Sequence, residues 1–132
     1  MSDHVQALLD GMKARDAAAI RPLLAGNVVL YSPIIPEAIE GREEVVGVLG
    51  LLLSVIDRFE PHHVMHGDGH SATAFSFTAG DVRIDGMDYV RLDEAGLIDF
   101  MSVTWRPLPE IVRMQNRIAP LLGIPRLALT ER

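Results

Sequence analysis

At 132 residues, with 48% hydrophobic and 23% charged residues, the chain has the size and composition of one globular domain able to bury a core without metal or disulfide staples. It has no cysteine, which excludes disulfide frameworks, thiolate metal sites and cysteine nucleophiles. A net charge of −6 without any Lys/Arg cluster argues against nucleic acid or an anionic membrane as partner.

The polar opening Met1-Ser-Asp-His has no signal-peptide pattern, and a cytoplasmic location is expected. Val5, Leu8, Leu9 and Met12 recur at helical spacing and predict a first amphipathic helix from about Asp3 to Arg15. Asp16 reads as the cap of a second helix carrying Ile20, Leu23 and Leu24, which Pro22 should kink or shorten. Val28 to Pro33 reads as a short strand, and Ile34 to Gly41 as a loop. A long helix follows from Arg42 to Arg58, with Glu43 and Glu44 in its first turn where the helix dipole favours anions. From Val45 to Ile56 it is apolar nearly all round. That run is too short to cross a bilayer, so cover is expected on more than one side, from a sheet and from a ligand cavity or a partner.

After Pro61 the period changes to that of strands. His62 to His66, Ser71 to Thr78, Val82 to Leu92 and Leu97 to Trp105 are separated by the turn signals Gly67-Asp-Gly, Ala79-Gly80 and Asp93-Glu-Ala-Gly96. Glu110 to Ala119 suggests one more helix, and Pro120 onward a tail whose Leu121, Leu122, Ile124 and Leu127 need cover. Helices first and a strand meander afterwards predict an α+β fold, with helices laid on one face of a curved antiparallel sheet.

The strand Val82 to Leu92 carries the main chemical signal. Alternation places Val82, Ile84, Gly86, Asp88, Val90 and Leu92 on one face, so Asp88 should enter the interior among aliphatic neighbours. A carboxylate there is costly, so the group should either hold a proton near neutrality or have a hydrogen-bonding reason to stay charged, and either outcome marks a pocket. The competing reading is a twist or bulge at Gly86 that exposes Asp88, or a structural hydrogen bond that it accepts. His62 and His66 share a strand face but lie roughly 13 Å apart at about 3.3 Å per residue, too far to chelate one ion, so no metal site is expected. Which of His62, His63 and His66 faces inward is left open by the pattern. Tyr31 and Ser32 alternate at the end of the first strand, so one of them should face the hollow.

Three segments resemble the nuclear transport factor 2-like superfamily, in its ketosteroid isomerase-like and SnoaL-like branch. They are Arg15-Asp16-Ala-Ala-Ala-Ile20, Ile39-Glu-Gly-Arg-Glu-Glu-Val-Val and Asp85-Gly-Met-Asp-Tyr-Val-Arg-Leu-Asp-Glu-Ala-Gly-Leu-Ile-Asp99. The resemblance covers about Val5 to Pro107 of a single domain, leaving 108–132 as C-terminal helix and tail. It implies a cone-shaped sheet with three N-terminal helices on its concave face, an apolar pocket, and homodimers packed through the outer sheet face. By the same resemblance the oxyanion-stabilising aspartic acid of the isomerases falls on Asp88 and the pocket tryptophan on Trp105. Their base falls on Ser32 and their helical tyrosine on Leu8, so the familiar steroid isomerisation lacks two of its groups. The acid-base aspartate of the polyketide cyclases also fits Asp88. The last carboxylate of the epoxide hydrolase arrangement falls near Val103.

The expectation is therefore a hydrophobic small molecule bound in an apolar pocket without a cofactor. Asp88 is the candidate acid or base for isomerisation, cyclisation or hydration. Leu8, Met12, Tyr31, Ser32, Leu49, His63, Phe75, Met101 and Trp105 are the candidate pocket residues. The alternative is a binding or protein-interaction domain of the same fold that does no chemistry.

Overall fold

A computed structural model describes residues 3–130. Helix α1 (Asp3–Ala14) buries Val5, Leu8, Leu9 and Met12, the stripe its sequence spacing requires. It ends at Arg15, whose φ of 56° is left-handed, and the Asp16 N–H returns to the Gly11 carbonyl at 2.9 Å to close the turn. Asp16 then caps α2 (Ala17–Ile20) by accepting from the Ala19 N–H at 3.2 Å. This helix is shorter than expected: Pro22 diverts Arg21–Leu23 into a 3₁₀ turn, and β1 (Leu24–Tyr31) begins four residues earlier than its composition suggests.

A two-residue strand β2 (Ile39–Glu40) precedes α3 (Arg42–Val55), which enters from Gly41 at a φ of 94°. The four later elements of the sheet are β3 (Arg58–Gly67), β4 (His70–Ala79), β5 (Val82–Leu92) and β6 (Ile98–Arg106). They are followed by α4 (Leu108–Leu122), which stops at Gly123 in a left-handed C-cap. The sheet runs β2-β1-β6-β5-β4-β3 and is open at both ends.

It is mixed, and this corrects the expectation of an all-antiparallel sheet: β1 and β6 lie parallel, with Leu30 beside Met101 and Tyr31 beside Ser102. Short turns dictate antiparallel neighbours only within the β3 to β6 meander. Closing the sheet brings β1, made early in the chain, against the last strand, and that pairing obeys no local turn.

One sheet face carries Leu30, Phe75, Phe77, Ile84, Val90 and Met101, all nearly inaccessible, and meets the buried sides of α1 and α3 and of Met114 and Ile118 on α4. The other face presents Tyr31, Met65, Met87 and Tyr89, each at least one-third exposed. The β4–β5 ladder runs unbroken from His70 opposite Arg91 to Ala79 opposite Val82, so no bulge at Gly86 disturbs the alternation of β5. A bulge does occur on β3, between Pro61 and His63. Helix α4 is fastened to the β4–β5 turn by polar contacts. Arg113 pairs with Asp81 at 2.6 Å and with Glu110, whose Oε1 accepts the Arg83 N–H at 3.1 Å. No helix among the described residues is long and apolar enough to cross a membrane.

Candidate functional site

Asp88 sits on the concave face of β5, opposite Thr73 of β4 and Val103 of β6, and only 6% of it is accessible. Removing the carboxylate from water raises its pKa from an ordinary 3.8 to about 7, against the opposing pull of a hydrogen bond from the Thr73 backbone. Near neutrality the group therefore exists as both acid and carboxylate. That is the state a proton-transfer residue needs, since a pKa close to ambient pH keeps both forms available.

Next to this row lies an apolar cavity of about 40 Å³. Val103 and Trp105 of β6 form its floor, with Leu30 at the end of β1, and Val48, Leu49 and Leu52 of α3 form one wall. The remaining wall is Ser32 with the Pro33–Ile35 loop, and Ile118 and Leu122 of α4. Asp88 is not itself in the lining. It stands beside it on the same sheet face, one strand across from Val103, where opposed side chains lie about 5 Å apart at Cβ. Ser32, the residue after β1, lines the cavity together with Val103.

The candidate residues divide accordingly. Ser32, Leu49 and Trp105 line the cavity. Leu8, Met12, Phe75 and Met101, also expected in the pocket, are not in its lining; they belong to the packed core, each less than one-tenth exposed. Two are placed elsewhere. Tyr31 has the parity opposite to Leu30 and Ser32, is 46% exposed on the outer face, and lies with its ring 5.6 Å from that of Phe100. His63, one residue past the bulge, is opposite Ala74 on that same outer face and exposed.

His62 also turns to the outer face, where its Nε2 meets Ser76 Oγ at 2.8 Å, whereas His66 pairs through Nδ1 with Ser71 Oγ at 3.0 Å on the concave side, at the sheet edge. Among the described residues no group of three or more metal-ligating side chains comes together.

Sequence reasoning missed Val48, Leu52, Ile34, Ile35, Ile118 and Leu122 as cavity walls. The first two had a signal in the all-round apolarity of α3. The others reach the cavity through contacts between distant parts of the chain that no local period encodes. A second, polar depression of about 410 Å³ lies between the end of α1 and the start of β3. Its Arg15 donates to the Ile56 carbonyl at 2.9 Å and its Arg58 pairs with Glu60 at 3.0 Å, so both guanidinium groups are already engaged.

The arrangement of four helices on a six-stranded curved sheet defines a cystatin-like, nuclear transport factor 2-like α+β protein. Residues 5–101 match the model of the SnoaL-like domain, and the chain belongs to that family.

Among solved structures, it resembles an uncharacterised bacterial protein with a cystatin-like fold from Silicibacter pomeroyi DSS-3. The TM-score is 0.88 at 24% identity, over 93% of this chain and 87% of that one. A steroid delta-isomerase from Pseudomonas aeruginosa aligns with a TM-score of 0.83 at 24% identity, over 91% and 89% of the two chains. SalBIII, an epoxide hydrolase/cyclase-like enzyme of pyran ring formation in the polyether salinomycin, aligns with a TM-score of 0.70 at 20% identity, over 82% and 91%. At these identities the likeness is one of fold. No curated protein matches the chain.

Proposed function

We propose that this chain binds a hydrophobic small molecule in the hollow between the sheet, α3 and α4, and that Asp88 exchanges a proton with it during isomerisation, cyclisation or hydration. The observation that carries this reading is the placement of Asp88: buried on the concave face, beside Val103 of the cavity floor, and free of any ion pair among the described residues. A steroid delta-isomerase and a cyclase-like enzyme among the structures of the same fold make proton-transfer chemistry on apolar substrates a reasonable class.

The familiar steroid mechanism is not proposed, because Ser32 and Leu8 stand where a base and a tyrosine would be needed. Asp88 would therefore act alone, as acid while protonated and as base once ionised.

A cavity of about 40 Å³ holds little more than a water molecule, against several hundred cubic ångströms for ordinary ligand pockets. Entry of a substrate thus requires the wall formed by Ile118 and Leu122, at the end of α4, to move outward. The test is turnover of a panel of apolar ketones, epoxides and enones by wild type and Asp88→Asn. Lost turnover with retained affinity supports the reading.

One observation favours the non-catalytic alternative: none of the cavity-lining side chains is titratable. Ligand binding with no turnover across the panel would select it.

We further propose that the chain pairs with a second copy through the outer sheet face, where Tyr31, Met65, Met87 and Tyr89 leave an apolar patch exposed. A groove of about 300 Å³ beside Met87, between Asp85 and Arg106, continues that surface.

A further inference from the structure

Ser32 is held in a way that fixes what it can offer a ligand. Its Oγ accepts the backbone N–H of Ile34 at 3.1 Å and that of Ile35 at 3.2 Å, a turn in which the hydroxyl takes the place of a backbone carbonyl. A serine hydroxyl has two acceptor lone pairs and one proton, so both acceptor positions are filled and only the proton is left. No acceptor for that proton occurs among the hydrogen bonds of the described residues. Around it the lining is aliphatic except for Trp105, whose indole N–H can also only donate. The polar side chains of the cavity wall are therefore donors without exception.

We propose that Ser32 is a specificity-determining donor, and that the cavity selects largely apolar molecules bearing a carbonyl or ether oxygen, which receives the Ser32 Oγ–H. The inference rests on the ligand-binding reading above and names its substrate class.

An amine or other pure donor finds no acceptor at this wall and loses its water for nothing. An alcohol accepts from Ser32 but leaves its own proton unpaired among aliphatic groups, so it is disfavoured relative to a ketone of the same shape. The same two N–H contacts deny Ser32 a role as base, because it has no free lone pair to take up a proton.

The probes are cyclohexanone and methylenecyclohexane, which have nearly the same shape and differ in a C=O against a C=CH₂ group. Their dissociation constants are measured at pH 8 by amide NMR titration of wild type, Ser32→Thr, Ser32→Ala and Ser32→Asp. Threonine keeps both the acceptor and the donor. Ionised aspartate keeps the acceptors for Ile34 and Ile35, whose amide shifts report an intact turn, and supplies no proton.

Wild type and Ser32→Thr are expected to prefer the ketone by about fivefold to tenfold, the worth of one hydrogen bond. In Ser32→Ala and Ser32→Asp that ratio should fall to about one. A ketone preference that survives in Ser32→Asp, or equal binding of the two probes by wild type, overturns the donor role while leaving ligand binding intact. Failure of wild type to bind either probe overturns the ligand-binding reading and this inference with it.

Discussion

Replacing Asp88 by asparagine should change how the stability of the protein depends on pH. In the fold its carboxyl titrates at about 7, against 3.8 when exposed, so between those values the native state holds a proton that the unfolded chain has released. Stability contributed by that proton is complete below about pH 4, declines as pH rises, and levels off above about 7. The gap of about 3 pH units corresponds to roughly 4 kcal/mol in total, at 1.36 kcal/mol per unit.

Between pH 5 and 8 about two of those units fall within the window, so wild type should lose roughly 3 kcal/mol relative to Asp88→Asn. Urea unfolding of both proteins at pH 5, 6, 7 and 8 measures the difference, and the variant cancels the titration of every other carboxylate. Parallel curves for the two proteins would refute the reasoning, because they would mean that the Asp88 carboxylate pays no penalty in its native surroundings.

Gly86→Ala should destabilise by about 1–3 kcal/mol in thermal or urea melts, because a Cβ there meets the Thr104 carbonyl oxygen and Phe75 Cζ at 2.7 Å and the backbone atom cannot step aside. Ile118→Ala, on the buried side of α4 at 3% exposure, should cost about 2–5 kcal/mol and enlarge the cavity. Fluorescence of Trp105, the sole tryptophan and part of the cavity floor, should then report tighter binding of a small apolar probe than in wild type. Tyr89→Glu, on the exposed outer face, should shift the chain from dimer to monomer in light scattering without altering the fold. Monomeric wild type at high concentration would contradict the pairing.

The strand alternation that placed Asp88 inside was legible because β5 keeps its period of two without interruption over its full length and faces a core on one side only. The apolar girth of α3 likewise announced that something beyond the sheet would cover it, and Val48 and Leu52 do face the cavity. Parity misleads where a single extra residue enters: with the bulge between Pro61 and His63, His62 and His66 do not share a face as expected, His62 meeting Ser76 on the outer side and His66 meeting Ser71 on the concave side, and no residue type in Pro61-His-His announces it.

Tyr31 and Ser32 show the limit differently. Alternation required them to take opposite faces, but only the pairing of β1 with β6 decides that Ser32 points in. Helix α4 was visible as a helix, yet its contribution of Ile118 and Leu122 to the cavity depends on where it docks, fastened by the Arg113–Asp81 ion pair and by the Arg83 N–H donating to Glu110, contacts set by tertiary placement.

The central claim, that Asp88 keeps its proton near neutrality beside an apolar hollow, is tested most directly by following its carboxyl carbon by NMR from pH 3 to 9, with Asp88→Asn to assign the signal. The account predicts a midpoint near 7. A midpoint near 4, that of an aspartate in water, would contradict it.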